Sequence, residues 1–235
     1  MHAAPSEHSP YSSSDPGFTA MSVDELLAPH ADLVARIKLC YGTDRDTFER
    51  DVLALIHRYA AFVHLLPATA DNYFSAPGGL LRLGLEAGFF SLQGTDAHIF
   101  SGRLTITARR QLEPRWRLGT FIAGLCSELH RALSHVMVTD VHGVEWPPCL
   151  MPLAAWLQQH HARRYFVRWR PQATETRALG LFALPHVVAP EVLWLSLLNA
   201  TACTALPVLL VMMAIERIGP GLTAQTGMIG PMSTI

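Results

Sequence analysis

With 235 residues, half of them hydrophobic and only 16% charged, the chain has room for one large domain with a substantial core. Its formal net charge of −1 excludes a global attraction to nucleic acid or anionic lipid, so any DNA contact needs a local basic patch. The cysteines Cys40, Cys126, Cys149 and Cys203 have no CxxC spacing, which argues against a zinc knuckle or disulfide framework and fits a reducing cytoplasm.

Residues 1–21 are rich in Ser, Pro and His and lack an apolar period, so a disordered segment is expected there. They show no basic stretch leading into an apolar one, and the expected location is cytoplasmic. The domain is expected over residues 22–215. Ser22 and Glu25 have capping-box spacing, Pro29 limits the first helix, and a second runs to Cys40 with Gly42 as its stop. Phe48, Val52, Leu55, Ile56, Tyr59, Phe62, Val63 and Leu66 recur at three- and four-residue steps and predict a long amphipathic helix.

Gly78–Gly79 opens another helix that Gly94 ends. Inside it Gly84 and Gly88 share a face; each costs roughly 1 kcal/mol relative to Ala, so a neighbouring backbone is expected close by. A further helix is predicted from Arg115 to about His135. Val136–Val138 and Val144–Trp146 read as a hairpin around Asp140–Gly143, Leu150–His160 as a helix, and Tyr165–Arg170 as a third strand. The expected fold class is mainly α with a small antiparallel β-sheet.

Leu193–Ile215 carries no charge and is long enough to span a bilayer. Pro207 interrupts it, Asn199, Thr201 and Thr204 are spread through it, and its only basic flank is Arg217. Two buried helices broken near Pro207, packed on the core or on another subunit, are the preferred reading, and a membrane segment is disfavoured. Residues 216–235 are expected to be a flexible tail.

Several short runs carry a resemblance. Leu66–Pro67–Ala68–Thr69 precedes Pro77–Gly78–Gly79–Leu80–Leu81; Trp116–Arg117–Leu118 leads to Ala123–Gly124–Leu125–Cys126. Val138–Thr139–Asp140, Gly143, Trp146, Pro148, Leu153, Trp156, Tyr165 and Trp169–Arg170 follow. Over roughly residues 45–195 this resembles the N-terminal domain of TraI-type relaxases of the MobH class, found on integrative conjugative elements. The resemblance implies an HD-superfamily fold, in which His and Asp side chains hold a metal for phosphohydrolysis. The positions it assigns to histidines hold Asn72, Tyr73, Phe74 and Leu83, Ser127–Glu128 stands for the His-Asp pair, and Gln172–Glu175 replaces a His-rich stretch.

Such a site uses imidazoles and a carboxylate to position a divalent ion that activates water. Phe74 and Leu83 offer no ligand atom, Asn72 and Tyr73 are poor ligands, and Glu128 alone does not make a site. The expectation is therefore no catalytic residue, no metal and no cofactor, with the old cleft filled by Tyr73, Phe74 and Leu83 or reused for a partner. His130, His135, His142, Asp140, Asp71 and Glu86 lie near these segments, but their spacing matches no metal template; His130 and His135, five apart, fall out of phase on a helix. A Ser127/His130 nucleophile pair lacks an orienting acid. His160–His161 suits a helix end.

Arg163, Arg164, Arg168 and Arg170 are interleaved with Tyr165, Phe166 and Trp169, a composition suited to phosphate contact and base stacking. Arg109, Arg110, Arg115 and Arg117 form a second basic group. The reading is a catalytically inactive relaxase relative that binds DNA or a protein of the conjugation or regulatory machinery; homo-oligomers stay open. The alternatives are an active metal-dependent phosphohydrolase or nicking enzyme with displaced ligands, and a structural, oligomeric or membrane-associated assembly protein.

Overall fold

The computed structural model describes residues 17–97, 105–190 and 192. The disorder expected of residues 1–16, the apolar segment Leu193–Ile215 and the tail 216–235 lie outside the described residues. Order begins earlier than Ser22. Phe18–Thr19 form a short strand, β1, so the last part of the expected disordered segment belongs to the domain.

Ser22 caps α1 (Val23–Leu27) through the anticipated reciprocal box: its hydroxyl accepts from the Glu25 amide, and its own amide donates to Glu25 Oε2 at 2.7 Å. Ala28–His30 continue as a 3₁₀ turn containing Pro29, and α2 (Ala31–Tyr41) stops at Gly42, left-handed at φ 70°. α3 (Arg45–Phe48) and α4 (Ala54–Val63) are joined by a π-helical turn at Glu49–Leu53. The amphipathic period becomes the axis of the core: Ile56, Tyr59, Phe62 and Val63 of α4 are fully buried, and α1, α5 (Gly79–Gly94), α8 (Leu153–Gln159) and α9 (Gly180–Val187) pack around this helix.

α5 packs antiparallel on α6 (Ile106–Cys126), with Gly88 against Phe121 and Asp96 paired to Arg117 at 2.7 Å. The close neighbours of α5's glycines are chiefly aromatic side chains. A Cβ on Gly84 would stand 2.5 Å from Tyr59 Cζ, and one on Gly88 would stand 2.9 Å from Phe121 Cε2, with the Leu125 backbone nitrogen farther off at 3.5 Å. The expected long helix to His135 is divided: α6 ends at Cys126, residues 127–129 form a tighter turn with i→i−3 bonds such as Leu129 N–H to Cys126 O at 3.1 Å, and α7 (His130–Ser134) follows.

The sheet has the order β1-β3-β2, all antiparallel, with β3 (Arg164–Trp169) in the middle. β2 (Val136–Asp140) pairs along its length with β3, Val136 opposite Trp169 and Asp140 opposite Tyr165. The expected hairpin is present in short form: one bridge, Thr139 with Glu145, is flanked by Trp146 N–H donating to Val138 O at 2.9 Å and Asp140 N–H donating to Val144 O at 3.0 Å, and Asp140 Oδ1 caps the turn by accepting from the His142 and Val144 amides. No helix among the described residues is long and apolar enough to cross a membrane.

Candidate functional site

The loop carrying Leu66–Thr69 folds back on the start of α5. Ala68 N–H donates to Phe74 O at 3.0 Å, and Leu80 N–H donates to Leu66 O at 2.9 Å. Asn72 serves this loop and nothing else: its side-chain oxygen accepts from the Thr69 hydroxyl and from the Phe74 amide. Phe74 and Leu83 are half-buried against the core. Gly79 is obligatory, since a Cβ there would fall on the Phe74 carbonyl. Tyr73 does not fill a cleft. It is 62% exposed, with the Arg82 guanidinium 4.5 Å above its ring.

The turn between α6 and α7 presents the acidic position. Ser127 is committed to the helix end, its hydroxyl donating to Gly124 O at 2.8 Å. Glu128 turns toward Arg131, whose Nε meets Oε2 at 2.5 Å. The same guanidinium donates to Ala68 O at 3.3 Å and reaches Glu175 Oε1 at 3.4 Å. One cation thus touches the Leu66–Thr69 loop, the α6–α7 turn and the segment that ends at Glu175.

His130 completes the cluster. It is fully buried, its Nε2 lies 3.3 Å from Glu175 Oε1, and neither ring nitrogen meets full hydrogen-bond geometry among the described residues. Burial, the largest influence, pushes its pKa down and outweighs the neighbouring Glu128. Burial would raise the Glu175 carboxyl, but Arg131, followed by His130 and Arg177, holds it below the usual range. One ligand atom each from Glu128, His130 and Glu175 lies within 4.8 Å of the other two. His135, which helical spacing had set apart from His130, packs edge-on to it at 5.8 Å between ring centres because α7 ends at Ser134.

Sequence reasoning put Glu128 at the site but missed Arg131 and Glu175 as its partners. The only signal was position: Glu175 closes the segment that replaces the His-rich stretch. Asp71 and Glu86 are not members of this group, and Glu86 is paired with Arg82 at 2.8 Å.

The basic residues are spread along β3 and its flanks. Arg163 and Arg164 lie at one end, exposed, while Arg170 lies about 20 Å along at roughly 3.3 Å per residue. There Arg170 donates to Val136 O at 3.1 Å and pairs with Glu145 at 2.7 Å. Arg168 and Trp169 are half-buried between these ends. Arg117, of the second basic group, is committed to Asp96 and the Cys40 carbonyl.

At the Arg163–Arg164 end, a cleft of about 400 Å³ is lined by Asp140, His142, His160, His161, Arg163 and Arg164. Asp140 is 2% exposed, its Oδ1 is taken up by turn amides and its Oδ2 lies 3.9 Å from His160 Nδ1, while the exposed Val141 and the half-buried Ala162 complete the lining beside the imidazoles and guanidinium groups.

The TraI_2 family model, described as a putative helicase, matches residues 17–213. The chain belongs to the TraI_2 family. Membership agrees with the TraI-type resemblance and carries the conjugative relaxase and helicase theme with it. The matched span starts at Gly17, the residue before β1, and includes both the Glu128–Arg131 turn and the β3 cleft, so both are features of the TraI_2 region. A search of curated proteins finds no match.

Proposed function

We propose that this TraI_2 protein is a catalytically inactive, relaxase-like component of a conjugative element that works by holding DNA and not by cutting it. The observation that carries the reading is the Arg131 guanidinium lying on Glu128 and Glu175, where the resemblance calls for a metal. A divalent ion requires donors that converge within about 2.0–2.2 Å of one centre. Here the carboxylates converge on an organic cation, and a second positive centre a few ångströms away would be strongly repelled in a partly buried setting. The residues therefore do not fit a resident metal, and no hydrolytic step follows from them.

The cleft at Arg163 and Arg164 supports DNA as the partner. Its donors are guanidinium and imidazole groups at the end of a strand, a set suited to phosphate oxygens and blind to base sequence. Arg163 and Arg164 would contact phosphates, and His142, His160 and His161 would add hydrogen bonds. Cytoplasmic location follows from this role.

The test is metal analysis, a nicking assay and DNA binding on the same purified protein. The expected result is no stoichiometric metal, no nicking with added Mg²⁺ or Mn²⁺, and DNA affinity that falls steeply with salt. About one tightly held transition metal per chain, lost together with nicking on chelation, overturns it. Binding to a conjugation protein with no salt-sensitive DNA affinity replaces the partner and keeps the inactivity.

The second reading, a metal-dependent hydrolase with displaced ligands, is favoured by one observation: the buried His130, without a well-formed hydrogen bond, beside two carboxylates. Arg131 weighs against it. An assembly role through Leu193–Ile215 is decided by fractionation and light scattering; a soluble monomer excludes it.

A further inference from the structure

We infer that Arg131 is the resident cation of a latent divalent-metal site built from Glu128, His130 and Glu175, and that its guanidinium keeps metal out. The inference rests on the proposed absence of a resident metal and is independent of DNA binding.

Three observations meet at one point. The donor atoms of Glu128, His130 and Glu175 lie within 4.8 Å of one another, and they come from the α6–α7 turn, α7 and a loop 44 residues beyond Arg131. His130 is fully buried, with Nε2 directed at the Glu175 carboxylate and neither ring nitrogen meeting full hydrogen-bond geometry among the described residues. A buried polar group without a well-formed hydrogen bond is costly. Arg131 then supplies positive charge to both carboxylates and anchors itself on Ala68 O.

The charge balance explains the exclusion. Two carboxylates carry −2, Arg131 returns +1, and the part-exposed Arg177, 3.9 Å from Glu175 Oε1, returns another +1, so a divalent ion added beside both guanidinium groups would leave the cluster at +2. Without Arg131 the excess falls to +1, carried by the solvent-screened Arg177, and the ion gives His130 a bond partner. Two carboxylates and an imidazole suit Zn²⁺ or Co²⁺, with water completing the coordination.

The experiment compares the full-length wild type with Arg131→Met and Arg131→Lys. Zn²⁺ is titrated by calorimetry, and Co²⁺ binding is followed by its visible absorption. The Met variant keeps the bulk of the side chain without its charge. It should bind one Zn²⁺ at least about 100-fold more tightly than wild type and gain several degrees of thermal midpoint on loading. Adding His130→Ala should remove that gain, since a ligand is lost. The Lys variant, still charged, should bind no better than wild type.

A folded Met variant with no gain in Zn²⁺ affinity overturns the inference and leaves the proposed function standing. Stoichiometric Zn²⁺ in wild type, undiminished by Arg131, overturns both. If the Met variant does not fold alone, it is refolded with and without Zn²⁺. Recovery only with Zn²⁺ supports the inference, and no recovery in either condition overturns it.

Discussion

The hydroxyl of Tyr165 lies 2.8 Å from Nδ1 of His64, and both side chains are fully buried. Tyr165 sits in the middle strand and His64 immediately after α4, so this pair couples the sheet to the central helix. The same hydroxyl accepts from the Leu65 amide at 3.3 Å, and His64 Nε2 rests 3.1 Å from the Met21 backbone beyond β1. The joint lies just ahead of the Leu66–Thr69 loop, whose Ala68 carbonyl holds Arg131. Tyr165→Phe leaves a buried imidazole nitrogen and a buried amide unpaired, so it is expected to cost about 1–3 kcal/mol. Urea unfolding reads this as a lower midpoint at unchanged slope; an unchanged midpoint refutes the coupling.

His64 also gives a pH dependence. Burial, the largest influence, lowers its pKa and outweighs the raising contact with Met21. The groups facing it are the Tyr165 hydroxyl and the Met21 backbone, with no charged side chain among its hydrogen-bonding partners. The unfolded chain therefore binds a proton more readily than the folded one. Its contribution is complete above the ordinary imidazole value of about 6.5 and is lost as pH falls below that toward the depressed folded value. His64→Asn does not titrate in this range and tolerates the positive φ of 48°. Its unfolding midpoint should fall less than that of wild type between neutral and mildly acidic pH; parallel profiles count against the assignment.

Two helical glycines should respond with opposite signs. Gly84→Ala gains helix propensity but drives a methyl into the Tyr59 ring, which is buried and holds Leu80 O at 3.0 Å. Overpacking of this kind costs about 1–3 kcal/mol, more than the roughly 1 kcal/mol of propensity. Gly119→Ala, in α6, meets nothing within 4 Å among the described residues and should stabilise by about 0.5–1 kcal/mol. Thermal midpoints of the two variants decide the matter, and a stabilising Gly84→Ala means the Tyr59 contact yields easily.

Within the DNA reading, the two ends of β3 should behave differently. Arg163→Ala and Arg164→Ala should each flatten the salt dependence of DNA affinity by about one unit of slope, for all sequences alike. Arg170→Ala should leave DNA affinity unchanged. Because Arg170 and Glu145 are 42% and 47% exposed, their pair is worth at most about 1 kcal/mol of stability. Equal losses of affinity at both ends would point to one continuous surface.

Most of the helical scaffold was readable residue by residue. Ser22–Glu25, Gly42 and Gly78–Gly79 mark helix ends through hydrogen bonds and backbone angles that span one turn, and the α4 stripe repeats within its own helix. The errors were equally physical. The α6–α7 break falls at residues 127–129, inside the four-residue repeat Leu125, Leu129, Leu133 that runs on across it, and β2 pairs along its length with β3 while keeping only one bridge to its sequence neighbour, because strand pairing is chosen by packing across the fold as well as by proximity in sequence.

By itself, then, the sequence determined where α1 and α5 begin, where α2 and α5 end, and which face of α4 is buried. Only the tertiary structure decided that Arg131 reaches Ala68, Glu128 and Glu175 together and that His130 is buried beside them. Caps and periods are settled by atoms a few residues apart. The meeting of charges separated by tens of residues depends on how helices and strands pack, and that is settled by the core as a whole.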